Sequence, residues 1–349
     1  MNTIYLDYNA SSPLHPKARA AMLEVLELPG NAHSLHRVGQ RAFELVEDAR
    51  RRLGDVFGIA PSRIVFTSGA TEANALAMHG PSRWLASATE HPSVLTWAAG
   101  TTPVDANGVV AEPVESADGY AIMLANNETG VIQPVADARR WARSRGARLH
   151  VDATQGLGRM RLPADLWAAD SVSLSAHKFG GPQGVGALVV RENEEEPKLK
   201  ALLRGGPQER GRRAGTLNLA GIVGMAAAAE VADTDRCALR GLRDALDTGL
   251  RALGGHIVGE RASRLDNTSC VVFSSFDAAD LVMALDLSGV QVSAGAACSS
   301  GAAERSHVLR AMGIEGSAIR FSMGFGTTAT DVTDALNALA RILPLKEVK

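Results

Sequence analysis

The sequence predicts an α/β protein whose larger domain holds a mostly parallel sheet covered by helices on both faces. Between about residues 60 and 190, apolar segments that favour strands alternate with segments of helical spacing, and this alternation is typical of a parallel sheet. The chain has 349 residues, which is long enough for one large and one smaller domain. A second group of strand and helix segments after residue 233 predicts that smaller α/β domain.

The larger domain is predicted from its segments in turn. Apolar segments bounded by turn residues predict strands, and these are RIVF, YAIML, ARLHVD, SVSLS and GALVV. Segments with helical periodicity predict helices, and these are ATEANALAM, PVADARRWARS and the alanine-rich, buried AGIVGMAAAAEVA. Gly146 follows the second of these helical segments as a stop signal.

The smaller domain is entered through a long amphipathic helix, predicted over residues 235–255. Beyond it, SCVVFSS, VQVSAG and AIRFS favour strands, whereas AADLVMALDL and TDVTDALNALARIL favour helices. Thr328 and Asp331 give the last helix the start of a capping box.

Charge and hydropathy exclude several classes of protein. The formal net charge is −2, with acidic and basic residues interspersed, which argues against binding to nucleic acid or to a membrane surface. No apolar run reaches the roughly 18 residues of a membrane-spanning helix. The first residues, MNTIYLDYNASS, lack the pattern of a secretory signal. We therefore expect a soluble, cytoplasmic protein.

The three cysteines, Cys237, Cys270 and Cys298, are odd in number and far apart, so neither a disulfide framework nor a zinc site is expected. Cys270 lies in an apolar strand segment and Cys237 on a helix, so both are expected to be structural. Cys298 lies among glycine, alanine and serine residues, in SAGAACSSG, which predicts a loose loop. The charged run from Arg191 to Lys200 predicts a solvated turn.

Two features point to the binding of a charged group, and each also has a structural explanation. Ser68, Gly69, Ala70 and Thr71 lie between a strand and a helix, where free N–H groups can bind phosphate; the alternative is a turn with a threonine cap. Asp152 ends an apolar strand, where a protonated ring nitrogen would stabilise its charge; the alternative is a helix N-cap in the sequence DATQ.

Lys178 is a third such feature, because it follows the strand segment SVSLS and precedes two glycines. A lysine in this position can form a Schiff base with an aldehyde when burial or a neighbouring charge lowers its pKa; the alternative is a solvated lysine. A phosphate cradle, a strand-end aspartate and a strand-end lysine, in that order, match the phosphate, ring nitrogen and aldehyde of pyridoxal 5'-phosphate. Together they predict that cofactor.

Nine motifs follow one another along nearly the whole chain: YLDYNAS, FTSGATEAN, TEHPSVL, ANNETGVIQPV, HVDATQ, SLSAHKFGGPQGVGAL, RRAGTLN, SAGAACSSG and AIRFSMG. With them the sequence resembles the class V pyridoxal-phosphate enzymes of the aminotransferase fold, and within these the cysteine desulfurases of the branch with a long mobile cysteine loop. The resemblance implies fold type I. It places a large cofactor-binding domain at residues 12–233 and a smaller α/β domain at residues 1–11 and 234–349.

The resemblance also implies roles at the cofactor. Lys178 would bond to the aldehyde, Asp152 would pair with the ring nitrogen, and Gln155 would bind the ring hydroxyl oxygen. Asn127 would lie near that oxygen and the substrate, and His91 would stack on the ring and transfer protons. The phosphate would be held by Ala70, Thr71, Ser175 and His177, and Thr216 would reach the phosphate of the neighbouring subunit. A homodimer with shared sites is therefore implied.

The substrate that the resemblance implies is L-cysteine. Arg320 would bind its carboxylate in a bidentate pair, with Asn31 assisting, and Arg213 would assist at the site. Cys298 would be the nucleophile that takes the sulfur as a persulfide and leaves L-alanine. The sulfur would then pass to an acceptor protein for iron–sulfur cluster assembly or for thio-modification such as tRNA thiolation, a choice that the sequence leaves open.

Other functions remain open at this stage. A selenocysteine lyase or an aminotransferase could use the same fold, although the retained Cys298 argues against a simple aminotransferase. A catalytically idle scaffold for iron–sulfur or thiolation machinery is a third hypothesis, and the intact Lys178, Asp152 and His91 argue against it. The segment SMGFGTT departs from the arginine-containing version of the family, which bears on the acceptor rather than on the cofactor.

Overall fold

A computed structural model of the chain describes residues 3–191, 199–234, 236–295 and 306–343. The strands are β1 (Ile4–Tyr5), β2 (Ile64–Thr67), β3 (Trp84–Ser87), β4 (Gly100–Thr102), β5 (Gly119–Ala121), β6 (Arg148–Asp152), β7 (Ser171–Ser175), β8 (Gly186–Val190), β9 (His256–Ile257), β10 (Thr268–Val272), β11 (Val290–Gln291), β12 (Ser293–Ala294) and β13 (Ala318–Ser322). The helices are α1 (Pro16–Leu26), α2 (Arg37–Phe57), α3 (Ala70–Met78), α4 (Pro92–Leu95), α5 (Val135–Ser144), α6 (Leu219–Ala229), α7 (Arg236–Ala252), α8 (Ala278–Leu287), α9 (His307–Ala311) and α10 (Ala329–Ile342).

The larger sheet has seven strands in the order β2-β8-β7-β6-β5-β3-β4. The strands from β7 to β4 pair in parallel, whereas β8 runs antiparallel to both of its neighbours. The predicted mostly parallel, mixed sheet is therefore confirmed. The antiparallel pair β7–β8 follows from its short connection, because a parallel pairing requires a crossover of a dozen residues or more.

Helices cover both faces of this sheet. On one face, α1, α2, α5 and α6 bury their apolar side chains against the strands, in a core that includes Leu53, Ile122 and Val151. On the other face, α3 packs Ala73 and Leu76 against Val65 and Leu188. The helix predicted to be buried, α6, is buried along nearly its whole length, because α1 and α2 pack against it.

A second core lies among the smaller sheets and the helices that follow them. The order β12-β13-β10-β9 is antiparallel throughout, and β1 pairs in parallel with β11. The capping box predicted for α10 is present: the Thr328 side chain accepts from the Asp331 N–H at 3.2 Å, and the Asp331 carboxylate accepts from the Thr328 N–H at 2.7 Å. The two cores are separate clusters, while the domain boundaries themselves stay a prediction.

Several sequence expectations fall outside the described residues, among them the charged run at residues 192–198, the side chain of Cys237 and the segment 296–305 that contains Cys298. The strand expected in YAIML is confirmed but is shorter, at Gly119–Ala121. None of the helices within the described ranges is both long and apolar enough to cross a membrane. The strand ends of β6 and β7, at Asp152 and Ser175, meet at one edge of the sheet, where ligands commonly bind in open α/β sheets.

Candidate active site

A cavity of about 690 Å³ opens at that edge of the sheet, a size typical of small-molecule sites. Its lining comes from both parts of the chain. Strands β6 and β7 and helix α3 of the larger sheet provide side chains, and so do β13 of the smaller sheet and helix α9. Among the residues predicted from the sequence, the lining includes Ala70, Thr71, His91, Asn127, Asp152, Gln155, Ser175, His177, Lys178 and Arg320. The fold therefore brings most of the predicted site together.

The predicted phosphate cradle is the start of α3. Gly69 is its N-cap and provides no side-chain hydrogen bond. The first turn therefore lacks a capping oxygen from this residue, and Gly69, Ala70 and Thr71 line the cavity. A Cβ atom on Gly186 would lie 2.7 Å from the Gly69 Cα. Glycine at position 186 therefore lets the start of β8 lie close to the segment that follows β2. A Cβ atom on Gly69 would lie 3.6 Å from Ser175 Oγ, which places that hydroxyl beside the cradle.

Glu72, in the same turn of α3, is an acid beside the cradle. Its carboxylate accepts from the Ser68 N–H at 2.8 Å and pairs with Arg213 at 2.8 Å. Burial alone would raise the pKa of Glu72, but the hydrogen bonds from Arg213 and Ser68 lower it below the ordinary value. Arg213 therefore neutralises a carboxylate that would otherwise repel a phosphate.

Lys178 lies in the short helical turn that follows β7. Its Nζ donates to the carbonyl oxygens of Asn9 at 2.6 Å and Ala10 at 2.9 Å. The amine is therefore held inside the cavity and is not an ordinary solvated lysine.

Asp152, the last residue of β6, is 7% exposed. Its Oδ1 accepts from the Thr154 N–H at 3.0 Å, and its Oδ2 accepts from Asn74 Nδ2 at 2.9 Å. No helix among the described elements begins at Asp152, so its role as a helix N-cap is excluded. The Asn74 Oδ1 atom lies 2.9 Å from His150 Nε2. His150 thus holds Asn74, which in turn holds the Asp152 carboxylate.

Burial keeps three histidines of this region, His91, His150 and His177, neutral near pH 7. Burial lowers the pKa of His91, and the charge of Lys178 adds to this while Asp152 opposes it. Burial, with the charges of Lys178 and Arg159, lowers the pKa of His177 to about 4. Burial likewise lowers the pKa of His150 to about 4. Neutral rings can accept protons or stack on an apolar group, and they add no positive charge to the cradle.

Asn9 joins the two cores at this site and was not identified from the sequence. Its carbonyl oxygen accepts from Lys178 Nζ and from Gln155 Nε2 at 3.0 Å. Its side chain donates to Thr268 Oγ1 at 2.9 Å and to the Asn127 carbonyl oxygen at 3.2 Å. Gln155 Oε1, in contrast, is buried without a hydrogen-bond partner among the described residues, so that acceptor is available to a ligand.

Arg320, in the middle of β13, is the predicted carboxylate-binding residue. Nη2 donates to Asp7 Oδ1 at 2.6 Å and Nη1 donates to the Asn127 carbonyl oxygen at 3.0 Å. Its Nε is buried and has no partner among the described residues. Glu128 also lines the cavity, accepts from Ser306 Oγ at 2.6 Å, and has a pKa raised to about 7 by burial.

Four of the predicted residues are not among those that line the cavity, and one of them is Arg213, which pairs with Glu72 instead. Asn31 and Thr216 are exposed and do not line the cavity of the single chain. Cys298 lies outside the described residues. Cys270 is fully buried in β10, and burial raises the pKa of its thiol to about 12, which confirms it as a structural cysteine.

Comparisons with known proteins agree with this geometry. The family model described as aminotransferase class-V matches residues 4–335. A cysteine desulfurase of Cereibacter sphaeroides is 41% identical over 375 residues, which cover 98% of this chain and 96% of that protein. A solved structure named as a NifS-like protein is 33% identical with a TM-score of 0.88, covering 98% of this chain and 100% of that one. A structure of SspA in complex with cysteine is 26% identical with a TM-score of 0.76, covering 92% and 99% of the two chains.

Proposed function

This chain belongs to the aminotransferase class-V family and, within it, to the cysteine desulfurases, and from that premise we propose how its residues carry the reaction. Lys178 binds pyridoxal 5'-phosphate, Arg320 binds the carboxylate of L-cysteine, and Cys298 takes the sulfur. The observation that carries this proposal is the single cavity that holds Lys178, Asp152 and the uncapped start of α3.

The residues of the cavity fit pyridoxal phosphate. The free first turn of α3, with Thr71 and Ser175, suits the phosphate. Asp152 suits a protonated ring nitrogen, because a buried carboxylate is stabilised by a cation. The unpaired Oε1 of Gln155 can accept from a ring hydroxyl group, and a cavity of about 690 Å³ is large enough for the cofactor with a small amino acid.

When bound, pyridoxal phosphate supplies an aldehyde for an amine and an electron-withdrawing ring for the substrate Cα. The protein supplies the other components. Asp152, held by Asn74 and the Thr154 N–H, keeps a negative charge at the ring nitrogen. Lys178 holds the cofactor through its amine, and the same amine can take the proton from the substrate Cα.

Arg320 orients the substrate. Its Nη atoms are fixed by Asp7 and the Asn127 carbonyl oxygen, so the guanidinium plane is set before the substrate arrives. The buried Nε has no partner among the described residues and leaves a donor for the substrate carboxylate. His91, neutral near pH 7 because burial lowers its pKa, lies in the same cavity and can stack on the ring or accept a proton.

Cys298 completes the reaction. Gly295 lines the cavity, and Cys298 follows it by three residues, a separation of at most about 11 Å along the chain. The thiolate forms an S–S bond to the substrate sulfur as the C–S bond breaks. L-cysteine and the Cys298 thiol thus give L-alanine and the Cys298 persulfide, with one sulfur atom transferred and all atoms balanced.

We also propose a homodimer with shared sites. Thr216 is exposed and lies away from the cavity of its own chain, as expected if it serves a neighbouring subunit. Leu23 and Leu26 of α1 and Phe43 of α2 are more than half exposed, and a second copy would cover apolar surface of this kind. A sulfur-acceptor protein is part of the proposal, with its pathway left open, and a cytoplasmic location stays a prediction.

Persulfide trapping tests the function. The holoenzyme is treated with L-cysteine, alkylated and digested, and the peptides are weighed by mass spectrometry. We expect the additional sulfur on the Cys298 peptide and none on the Cys270 peptide, because the buried Cys270 thiol stays protonated. We expect Cys298→Ala to lower alanine formation by about a hundredfold or more while the cofactor absorbance still responds to L-cysteine. The matched Cys270→Ala variant should retain both alanine formation and the response of the cofactor absorbance to L-cysteine. Undiminished desulfuration by Cys298→Ala would refute the proposal.

A further inference from the structure

Arg159 is a buried arginine that pairs with no carboxylate of the described residues. It is 3% exposed. Nε donates to Asn9 Oδ1 at 3.1 Å and Nη2 donates to the Tyr8 carbonyl oxygen at 2.8 Å, while Nη1 is buried without a partner in the described part of the chain. Burying an unpaired charge costs free energy, so a buried, unpaired guanidinium at this position indicates a functional role.

The location of Arg159 indicates that use. Asn9 accepts from Arg159 through its side chain and from Lys178 through its carbonyl oxygen, the latter at 2.6 Å. Arg159 and Lys178 also line one small cavity of about 30 Å³, and Lys178 lines the larger cavity as well. Asn9 therefore accepts hydrogen bonds from both side chains, and both residues line the same small cavity.

On the basis of the proposed function, we propose that Arg159 is a positioning residue for Lys178. Its hydrogen bonds to Tyr8 and Asn9 hold the segment whose carbonyl oxygens, at Asn9 and Ala10, accept from the lysine amine. Its uncompensated charge favours the neutral amine. A neutral amine is the form that can attack an aldehyde or take a proton. Arg159 touches neither substrate nor cofactor in this proposal and acts through Lys178.

The other charged groups around Lys178 differ from Arg159, because each is negative, neutral near pH 7 or offset by an ion pair. Asp152 favours the protonated amine and opposes Arg159. The positive charge of Arg320 is offset by its ion pair with Asp7, which is 2.6 Å away. His91 and His177 are neutral near pH 7, and the pKa of His177 is lowered in part by Lys178 and Arg159 together.

Glu90 adds no charge, since burial and the charge of Asp152 raise its pKa well above the ordinary value. Burial and the charge of Arg320 lower the pKa of Arg159 itself to about 9, which still leaves it positive at pH 7. Arg159 is thus a cation near the amine whose charge no described carboxylate offsets.

Three substitutions separate the charge from the hydrogen bonds. Arg159→Met removes both, Arg159→Gln keeps a donor without the charge, and Arg159→Lys keeps the charge. Arg310→Gln is the matched control, because Arg310 lines the larger cavity but is exposed to solvent, where its charge is screened.

The first measurement is a pH titration of the holoenzyme, followed by the absorbance of the lysine-bound cofactor. We expect the midpoint to rise by about one pH unit in Arg159→Met and Arg159→Gln, since removing a like charge favours the protonated nitrogen. It should move by less than about 0.3 unit in Arg159→Lys and in Arg310→Gln. Should the Met variant fail to fold, the Gln and Lys pair carries the same test. Equal midpoints in Arg159→Gln and the unmodified protein would overturn the proposal.

A second measurement does not need the cofactor. Competitive acylation of the cofactor-free protein over a range of pH, read by peptide mass, reports the proton affinity of Lys178, with the exposed Lys17 as internal reference. The Lys178 midpoint should rise by about one unit in Arg159→Gln while that of Lys17 stays constant. A Lys178 midpoint that stays constant contradicts the proposal. If no cofactor binds but the Lys178 midpoint rises, the proposed function fails while the electrostatic inference stands.

Discussion

Arg50 and Arg159 are buried to nearly the same depth, at 5% and 3% exposure, but their surroundings are opposite. Arg50 forms two hydrogen bonds to the Glu209 carboxylate, at 2.7 and 2.9 Å, and another to Glu47 at 2.9 Å. Among the described residues, Arg159 has only neutral oxygens as partners. Burial lowers the pKa of both, yet the carboxylates raise that of Arg50 above its ordinary value, whereas that of Arg159 falls to about 9.

The carboxylate partners of Arg50 stabilise the start of the larger sheet. Glu209 also accepts from the Phe66 N–H at 2.7 Å, so the Arg50–Glu209 pair supports β2 just before the proposed phosphate cradle. Glu209 and Arg210 adopt left-handed backbone with φ of 50° and 59°, which is strained for residues other than glycine. The ion pair stabilises that turn. The region of Arg159 lacks such compensation, and there the charge acts on Lys178.

Removing the Glu209 carboxylate, the partner of Arg50, should have the largest effect on the free energy of unfolding. Glu209→Gln leaves the Arg50 charge buried with weaker partners, and we expect the free energy of unfolding to fall by about 3–5 kcal/mol. Urea unfolding followed by circular dichroism measures it. A loss of under about 1 kcal/mol would mean that the pair does not support this region.

The second effect concerns a buried group that stays neutral. The folded-state pKa of His150 is about 4, below the value of about 6.5 expected when unfolded, so the unfolded chain binds the proton first. Its contribution to stability is complete above pH 6.5 and is lost as the pH falls toward 4, at about 1.4 kcal/mol per pH unit. Urea titrations at several pH values should show this slope reduced in His150→Gln. An unchanged slope would contradict a neutral buried His150.

The unpaired region should respond less. Arg159→Met removes a costly unpaired charge along with two hydrogen bonds, so we expect the free energy of unfolding to change by no more than about 1 kcal/mol in either direction. The same urea experiment measures it beside Glu209→Gln. A destabilisation as large as that of Glu209→Gln would show that Arg159 is structural, and the contrast between the two arginines would disappear.

The smallest effect should come from an ion pair at the surface. Arg251 and Glu260 lie 3.1 Å apart, and their side chains are 46% and 37% exposed. Because solvent screens this pair, Glu260→Gln should alter the free energy of unfolding by less than about 0.5 kcal/mol. This variant calibrates the urea measurements, and a larger loss would imply that charge removal at any position destabilises the chain.

The sequence predicted those features that local patterns encode. Asp152 ends one apolar strand and Lys178 follows another, as the sequence predicted, and both residues line the cavity. The capping box at Thr328 is likewise a local pattern. Each of these features depends on a few neighbouring residues, so the amino-acid sequence alone was sufficient to predict it.

Partners that are distant along the chain could not be predicted in this way. Nothing in the letters around Arg50 and Arg159 distinguishes them, because Glu209 is 159 residues away from Arg50. Asn9 reaches the site only once β13 and β10 have folded against the larger sheet. A search for polar residues in the motif YLDYNAS could have drawn attention to Asn9, but its contacts depend on the tertiary structure.

The attachment of the cofactor to Lys178 is the claim on which both the site and the contrast between the arginines depend. Borohydride reduction of the holoenzyme fixes a lysine-bound cofactor permanently, and peptide mass mapping then identifies the modified lysine. We expect the pyridoxyl group on Lys178, with Lys17 and Lys200 unmodified. A pyridoxyl group on another lysine, or none on a protein that retains the cofactor, would contradict the assignment.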